Sequence, residues 1–164
     1  MKQPSRQAGF AYIWTLMLVA FMGAGLAIAS ETYATAARRD KEAQLLFIGR
    51  EFRQALGRYH EAKGVGGGAQ YPLTLEELLK DPRYPGAVRH LRRLYADPLT
   101  GKAEWGLLRQ QGRIVGVYSL SEQRPIKQGN FREEDKSLNR KPRYADWLFT
   151  YPADLFTAAP PPQK

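Results

Sequence analysis

The side chains with catalytic potential in this sequence are two histidines and two strand-end serines. His60 falls in a helical pattern and His90 among arginines, and neither has a neighbour in sequence suited to form a catalytic pair. Ser119 and Ser121 lie at the end of a strand pattern, outside any Gly-x-Ser-x-Gly turn that would expose a nucleophile. An enzyme needs a nucleophile with a base, a metal cluster or paired carboxylates in a pocket. We therefore predict no catalytic residues, while an enzyme whose groups converge from distant positions stays open.

Two further motifs could do chemistry but have structural interpretations. The glycine-rich segment 64–68 could cradle a phosphate, yet no strand precedes it and no Gly-Lys-Ser/Thr closes it. Glycine readily adopts the left-handed conformation that ends a helix, so this segment predicts a helix terminus. Thr74 and Glu77 have the spacing of a capping box, which predicts a short helix that begins at Leu75 and ends before Pro82.

The longest element that must position these residues begins with an apolar run. Residues 8–29 contain no charged side chain. As a helix the run would extend roughly 33 Å, enough to cross a hydrocarbon core of about 30 Å. We therefore predict a transmembrane helix over 10–29. A secretory signal peptide cleaved near 27–29 is an alternative, although its apolar core is usually shorter.

An amphipathic half follows over 30–63, where the sequence has no proline. Its apolar residues recur at spacings of three and four, which places them on one face of a helix. They are Leu45, Ile48, Phe52, Leu56 and Tyr59. Because no helix breaker separates the two halves, we predict one continuous helix over 10–63. A separate helix after a flexible link at 30–35 is the alternative.

Residues 64–157 are predicted to form an α+β globular part. A second short helix is expected at 86–95. The segment 97–101, Asp-Pro-Leu-Thr-Gly, predicts a turn, because proline presets φ, aspartate bonds the backbone ahead of it and glycine tolerates positive φ. Two alternating runs, 103–109 and 113–120, predict an antiparallel β-hairpin.

The remaining segments are a long loop at 123–143, an aromatic packing element at 144–151 and a disordered tail at 158–164. The chain has 25 Lys+Arg against 16 Asp+Glu and no cysteine, which excludes disulfides and thiolate metal sites. A basic excess can indicate nucleic-acid binding. Here the bases are interleaved with acids, as is typical of solvated faces. We predict no nucleic-acid partner.

The junction before the apolar run is a short basic segment that ends in Gly9 and is followed by Phe10. This arrangement resembles the leader of type IV pilins and of the pseudopilins of type II secretion. The resemblance implies a leader over 1–9, cleavage between Gly9 and Phe10 by a prepilin peptidase, and N-methylation of Phe10. The mature fifth residue of this family is typically glutamate, and here it is Trp14, an atypical residue at that position.

The order of later motifs also resembles the major pseudopilins of type II secretion. It comprises Tyr-Pro-x-Thr at 71–74, Asp-Pro-x-x-Gly at 97–101 and Tyr-Ser-Leu at 118–120. The family commonly has Trp-Gly where Leu99 and Thr100 stand. The resemblance implies a pilin-like α+β fold, in which a long N-terminal transmembrane and spine helix packs on a small antiparallel β-sheet with short helices.

The same resemblance implies a structural, non-enzymatic subunit of a type II secretion or related type IV filament machine. Its expected partners are prepilin peptidase, other pseudopilins, the inner-membrane secretion platform and the membrane itself. Its expected location is the bacterial inner membrane, with a single span and the C-terminal domain in the periplasm. The alternative is a single-pass membrane-anchored extracytoplasmic enzyme or binding domain with no role in filaments.

A calcium loop follows the last strand in this family. The acids available for one are Glu133, Glu134, Asp135 and Asp146, which are spread among basic residues. Calcium takes about six to eight oxygen ligands, so this scattered set favours a solvated loop. We therefore predict no metal and no cofactor, with calcium as the weaker alternative.

Overall fold

A computed structural model describes the backbone of residues 7–64 and 68–155, and the side chains of 10–24, 33–64 and 68–155. The chain divides into two compact units, Met1–Asp40 and Lys41–Lys164. The fold is α+β. Its elements are helix α1 (Gln7–Glu61), strands β1 (Gly106–Gln110), β2 (Arg113–Tyr118) and β3 (Phe149–Thr150), and three 3-10 helices, Glu76–Leu78, Glu133–Leu138 and Tyr144–Asp146.

The three strands form one antiparallel sheet in the order β1-β2-β3. The loop between β1 and β2 consists of Gln111 and Gly112, whose φ angles are 51° and 77°. Positive φ at both residues is what a two-residue type I′ hairpin turn requires. The predicted hairpin is therefore confirmed, with strands shorter than the alternating runs suggested.

The core lies in the unit Lys41–Lys164, where the C-terminal part of α1 packs against the sheet and the loops around it. The predicted helical stripe is buried, and Leu45, Phe52 and Leu56 are fully inaccessible to solvent. The strands contribute Ile114, Val117 and Phe149 to the same cluster. Other large members are Tyr59, Trp105, Tyr144 and Trp147. Burying this apolar stripe provides most of the stability of such a helix.

The structure corrects the prediction of a transmembrane segment. The part of the chain that the structure describes contains no helix long and apolar enough to cross a membrane. This finding overturns the predicted transmembrane spine at 10–29 and, with it, the predicted single-pass inner-membrane location.

The predicted short helices also differ from the structure. The first is a single 3-10 turn, Glu76–Leu78, without a side-chain cap. The carboxylate of Glu77 instead accepts hydrogen bonds from Leu73 N and the Tyr59 hydroxyl. The second, 86–95, is not helical. Two of its backbone amides, at residues 90 and 91, donate to the carbonyl of Leu78 at 2.8 Å, so they are used in a long-range contact rather than in helix bonds.

The predicted loop 123–143 contains the 3-10 helix Glu133–Leu138, whose Asp135 and Leu138 are buried. The predicted aromatic element 144–151 is confirmed as a packing element, with a 3-10 turn, Tyr144–Asp146, followed by β3. The predicted tail 158–164 and the leader residues 1–6 lie outside the described residues.

Candidate assembly surface

The N-terminal part of α1 presents its apolar side chains to solvent. Phe10 is 67% exposed, Trp14 is 62% exposed and Phe21 is 70% exposed. Four consecutive apolar residues, 16–19, are each at least half exposed, and four successive positions point to every side of an α-helix. Apolar surface all around a helix is expected where other protein or lipid covers it, so this segment is a candidate contact surface.

The residues predicted for processing lie at the start of this surface. Gly9 lies within α1, but its burial and contacts fall outside what the structure describes. Phe10 and Trp14 are one helical turn apart, and their rings meet edge to face with centroids 6.3 Å apart. Trp14, which would be the fifth residue after the predicted cleavage, therefore offers an aromatic surface and no charge. Cleavage after Gly9 and N-methylation of Phe10 stay predictions.

Three of the four acids that a calcium loop would need pair with basic residues. Asp135 is buried and accepts a hydrogen bond from Arg53 Nη1 at 2.7 Å. Asp146 pairs with Arg143 at 2.9 Å, and Glu133 pairs with Lys136. Within 7–64 and 68–155, no group of three or more His, Cys, Asp or Glu side chains is arranged to hold a metal ion.

The turn at 97–101 forms as predicted. The carboxylate of Asp97 accepts hydrogen bonds from Leu99 N at 2.9 Å and from the hydroxyl of Ser119 at 2.7 Å. Gly101 adopts a φ of 74°, the left-handed conformation expected of it. Ser119, considered above as a nucleophile, is fully buried and donates to this turn, so its role in the fold is structural.

His90 has a partner that sequence spacing did not reveal. Its Nε2 lies 2.9 Å from Oδ2 of Asp81, which is fully buried. The same carboxylate accepts two further bonds from the guanidinium of Arg83, and that guanidinium stacks over the ring of Tyr59 at 3.8 Å. Arg83 also donates to the carbonyl of Tyr59, so the cluster ties the 78–91 segment to α1.

The other histidine is part of an aromatic stack. The ring of His60 lies 4.3 Å from the ring of Tyr71, centroid to centroid, and 5.9 Å from that of Tyr151. Tyr71 donates its hydroxyl hydrogen to the carbonyl of Tyr151 at 2.9 Å. These contacts join the end of α1 to the segments on either side of the sheet.

A groove between the α1 face at 44–58 and the segment 89–96 is a second candidate surface, which sequence reasoning missed. It consists of two adjacent cavities of about 740 and 420 Å³, both lined by Phe47 and Tyr95. Arginines line its rim, namely Arg58, Arg89, Arg92 and Arg93. The available signal in the sequence was the concentration of arginines at 89–93.

Comparison with family models, curated proteins and solved structures finds no match for this chain. Arguments about function therefore rest on the residues and the geometry described above.

Proposed function

We propose that this chain is a pseudopilin-like structural subunit of a type II secretion or related type IV filament machine. In this proposal, a prepilin peptidase cuts between Gly9 and Phe10, and the chain then joins other subunits through the N-terminal part of α1. The chain acts by assembly and catalyses no reaction.

The observation that carries the proposal is the uncharged, largely apolar and exposed surface of α1 from Phe10 to Met22. An isolated helix with this surface would expose large side chains on every side, which is unfavourable in water. Packing among the same helices of neighbouring subunits covers all sides at once. Burial of one Leu or Phe side chain contributes about 1.5–3 kcal/mol. A helix that buries several such side chains can therefore hold a subunit in an assembly without ion pairs to its neighbours.

Two further features support the proposal. The Gly9–Phe10 junction directly precedes the exposed apolar surface, so cleavage there would leave the whole surface on the mature chain. The 41–61 part of the same helix packs in an α+β core with a three-stranded antiparallel sheet.

A photo-crosslinking experiment tests the proposal. p-Benzoylphenylalanine is placed at Leu18, on the apolar surface, in cells that express the full chain with a type II secretion or type IV filament gene set. The matched control carries the same group at Lys102, an exposed residue of the globular unit. We expect adducts with other filament subunits from position 18 and few or none from position 102, identified by mass spectrometry.

The absence of adducts from position 18 would contradict the proposal. Adducts only with proteins unrelated to filaments would also contradict it and would favour the binding-domain alternative.

A further inference from the structure

The groove between α1 and the 89–96 segment combines positive charge with an apolar floor. Phe47 is 52% exposed although it is a large apolar residue on the helix that forms the core. The neighbouring wall contains Leu91 and Leu94 and the ring of Tyr95. The cavity volumes fall within the roughly 300–1,000 Å³ typical of binding pockets.

The charge of the groove is strongly unbalanced. Its lining includes four arginines and a single acid, Glu51. Arg89 and Arg92 also line a third cavity, beside Lys80, so the positive surface continues past the end of the groove. Arg58 donates to the carbonyl of residue 90 at 2.7 Å, which joins the two walls of the groove.

The arginines are available to a ligand. Among the described residues, no ion pair involves Arg89, Arg92 or Arg93. The guanidinium of Arg93 lies 5.0 Å from the ring centroid of Tyr95, which keeps the cation beside the apolar floor. Arginine forms planar, two-point hydrogen bonds with carboxylates, so a row of such groups recognises acidic side chains.

We propose that this groove binds an acidic segment of a partner protein, in which Asp or Glu residues flank an aromatic or aliphatic side chain. The carboxylates pair with Arg89, Arg92 and Arg93, and the apolar side chain packs on Phe47 and Tyr95. This inference concerns a different surface from the exposed part of α1 and does not rest on filament assembly.

Glu51 favours a peptide over a nucleic acid as the occupant. Its carboxylate lines the same cavity as the arginines, so a continuous phosphate backbone would bring like charges together there. A peptide can instead present a donor, such as a backbone amide, to Glu51 and to the neighbouring Gln54. The exposed apolar floor likewise suits a peptide side chain.

The test measures fluorescence anisotropy of a labelled peptide of about twelve residues that alternates Glu and Asp with Phe, bound to the full-length chain in a mild nonionic detergent. A peptide with Lys in place of each acid and a single-stranded oligonucleotide of equal charge are the comparison ligands. We expect binding of the acidic peptide alone. Raising the salt from about 0.05 to about 0.3 M should weaken it, because exposed charges are screened.

Two variants locate the binding site. The triple substitution Arg89→Glu, Arg92→Glu and Arg93→Glu should weaken binding at least about tenfold, and Phe47→Ala should weaken it about threefold. The matched control reverses three exposed bases outside the groove, Lys102→Glu, Arg132→Glu and Arg140→Glu, with the same change in net charge. Circular dichroism checks that each variant is folded.

Several outcomes would overturn the proposal. Equal weakening by the control triple would mean that binding follows net charge and not the groove. Tighter binding of the oligonucleotide would assign the surface to nucleic acid. Binding that is unaffected by Phe47→Ala and by the groove triple, or no binding of the acidic peptide, would leave the groove without the proposed role.

Discussion

At the scale of single residues, Asp81 joins segments that are distant in sequence. Its buried carboxylate contacts Arg83 and His90, and Arg83 also donates to the backbone carbonyl of Tyr59 in α1 at 2.7 Å. Burial alone would raise the pKa of Asp81, but the hydrogen bonds from Arg83 and His90 outweigh burial and lower the pKa to about 2. The charged form of this carboxylate is therefore stabilised by folding.

We predict that Asp81→Asn lowers the free energy of unfolding by about 2 kcal/mol near neutral pH, from a pKa shift of nearly two units at 1.36 kcal/mol each. The folded pKa lies below the unfolded value of about 3.9, so this contribution is complete above roughly pH 4 and is lost as the pH falls towards 2. Urea unfolding of both proteins at pH 6 and near pH 2 measures it.

The stability gap between the wild-type chain and Asp81→Asn should narrow at the lower pH. Glu104→Gln, at an exposed acid, is the control and should change stability little at either pH. A gap of the same size at both values of pH would show that the carboxylate's charge is not what stabilises the cluster.

At the scale of elements, α1 and the sheet approach each other at a glycine. A Cβ added at Gly49 would overlap the ring of Phe149 in β3, and one added at Gly57 would meet the ring of Tyr151. Glycine costs up to about 1 kcal/mol in a helix interior relative to alanine. The close packing of Phe149 against the helix explains why α1 has glycine here.

We predict that Gly49→Ala destabilises the fold by about 1–3 kcal/mol, because the overlap with Phe149 outweighs the higher helix propensity of alanine. Thermal and urea unfolding followed by circular dichroism measure the change. Gly86→Ala is the matched control, since a Cβ at Gly86 has no atom within 4 Å and the change should be nearly neutral. A stabilised Gly49→Ala variant would mean that the strand moves away from α1 at little cost.

At the scale of the whole molecule, every described member of the apolar core lies in the unit Lys41–Lys164. The apolar surface of residues 10–22 contributes no side chain to that core. The two parts of α1 therefore differ in their partners. The C-terminal part is covered by its own chain, and the N-terminal part is the surface proposed for assembly.

We predict that a fragment of residues 30–164 is soluble and unfolds in a single cooperative transition, because it retains the whole core. Tryptophan fluorescence during urea unfolding reports on it through the buried Trp147. Phe52→Ala in the same fragment should lower stability by about 3–5 kcal/mol, as expected for a fully buried aromatic residue. A gradual transition, or one insensitive to Phe52→Ala, would show that the globular unit needs the missing segment.

Much of the element pattern could be predicted from local sequence. The three- and four-residue spacing identified the buried stripe that includes Leu45, Phe52 and Leu56, and alternation with a central Gln-Gly identified the hairpin. These predictions succeeded because periodicity and turn chemistry depend on neighbouring residues alone. Local pattern also predicted a transmembrane span over 10–29, which the described part of the chain does not support.

Tertiary contacts decided the rest. The 86–95 segment has a helical pattern, but its amides bond the Leu78 carbonyl, so the arginines at 89, 92 and 93 line a groove instead of one helix face. In place of the predicted side-chain cap, the Glu77 carboxylate accepts a hydrogen bond from Tyr59, which no local pattern shows. Sequence determined which residues are apolar, charged or turn-forming. Long-range hydrogen bonds and burial decided which polar groups contact each other, such as Asp81 and His90. Only the folded chain provides these contacts.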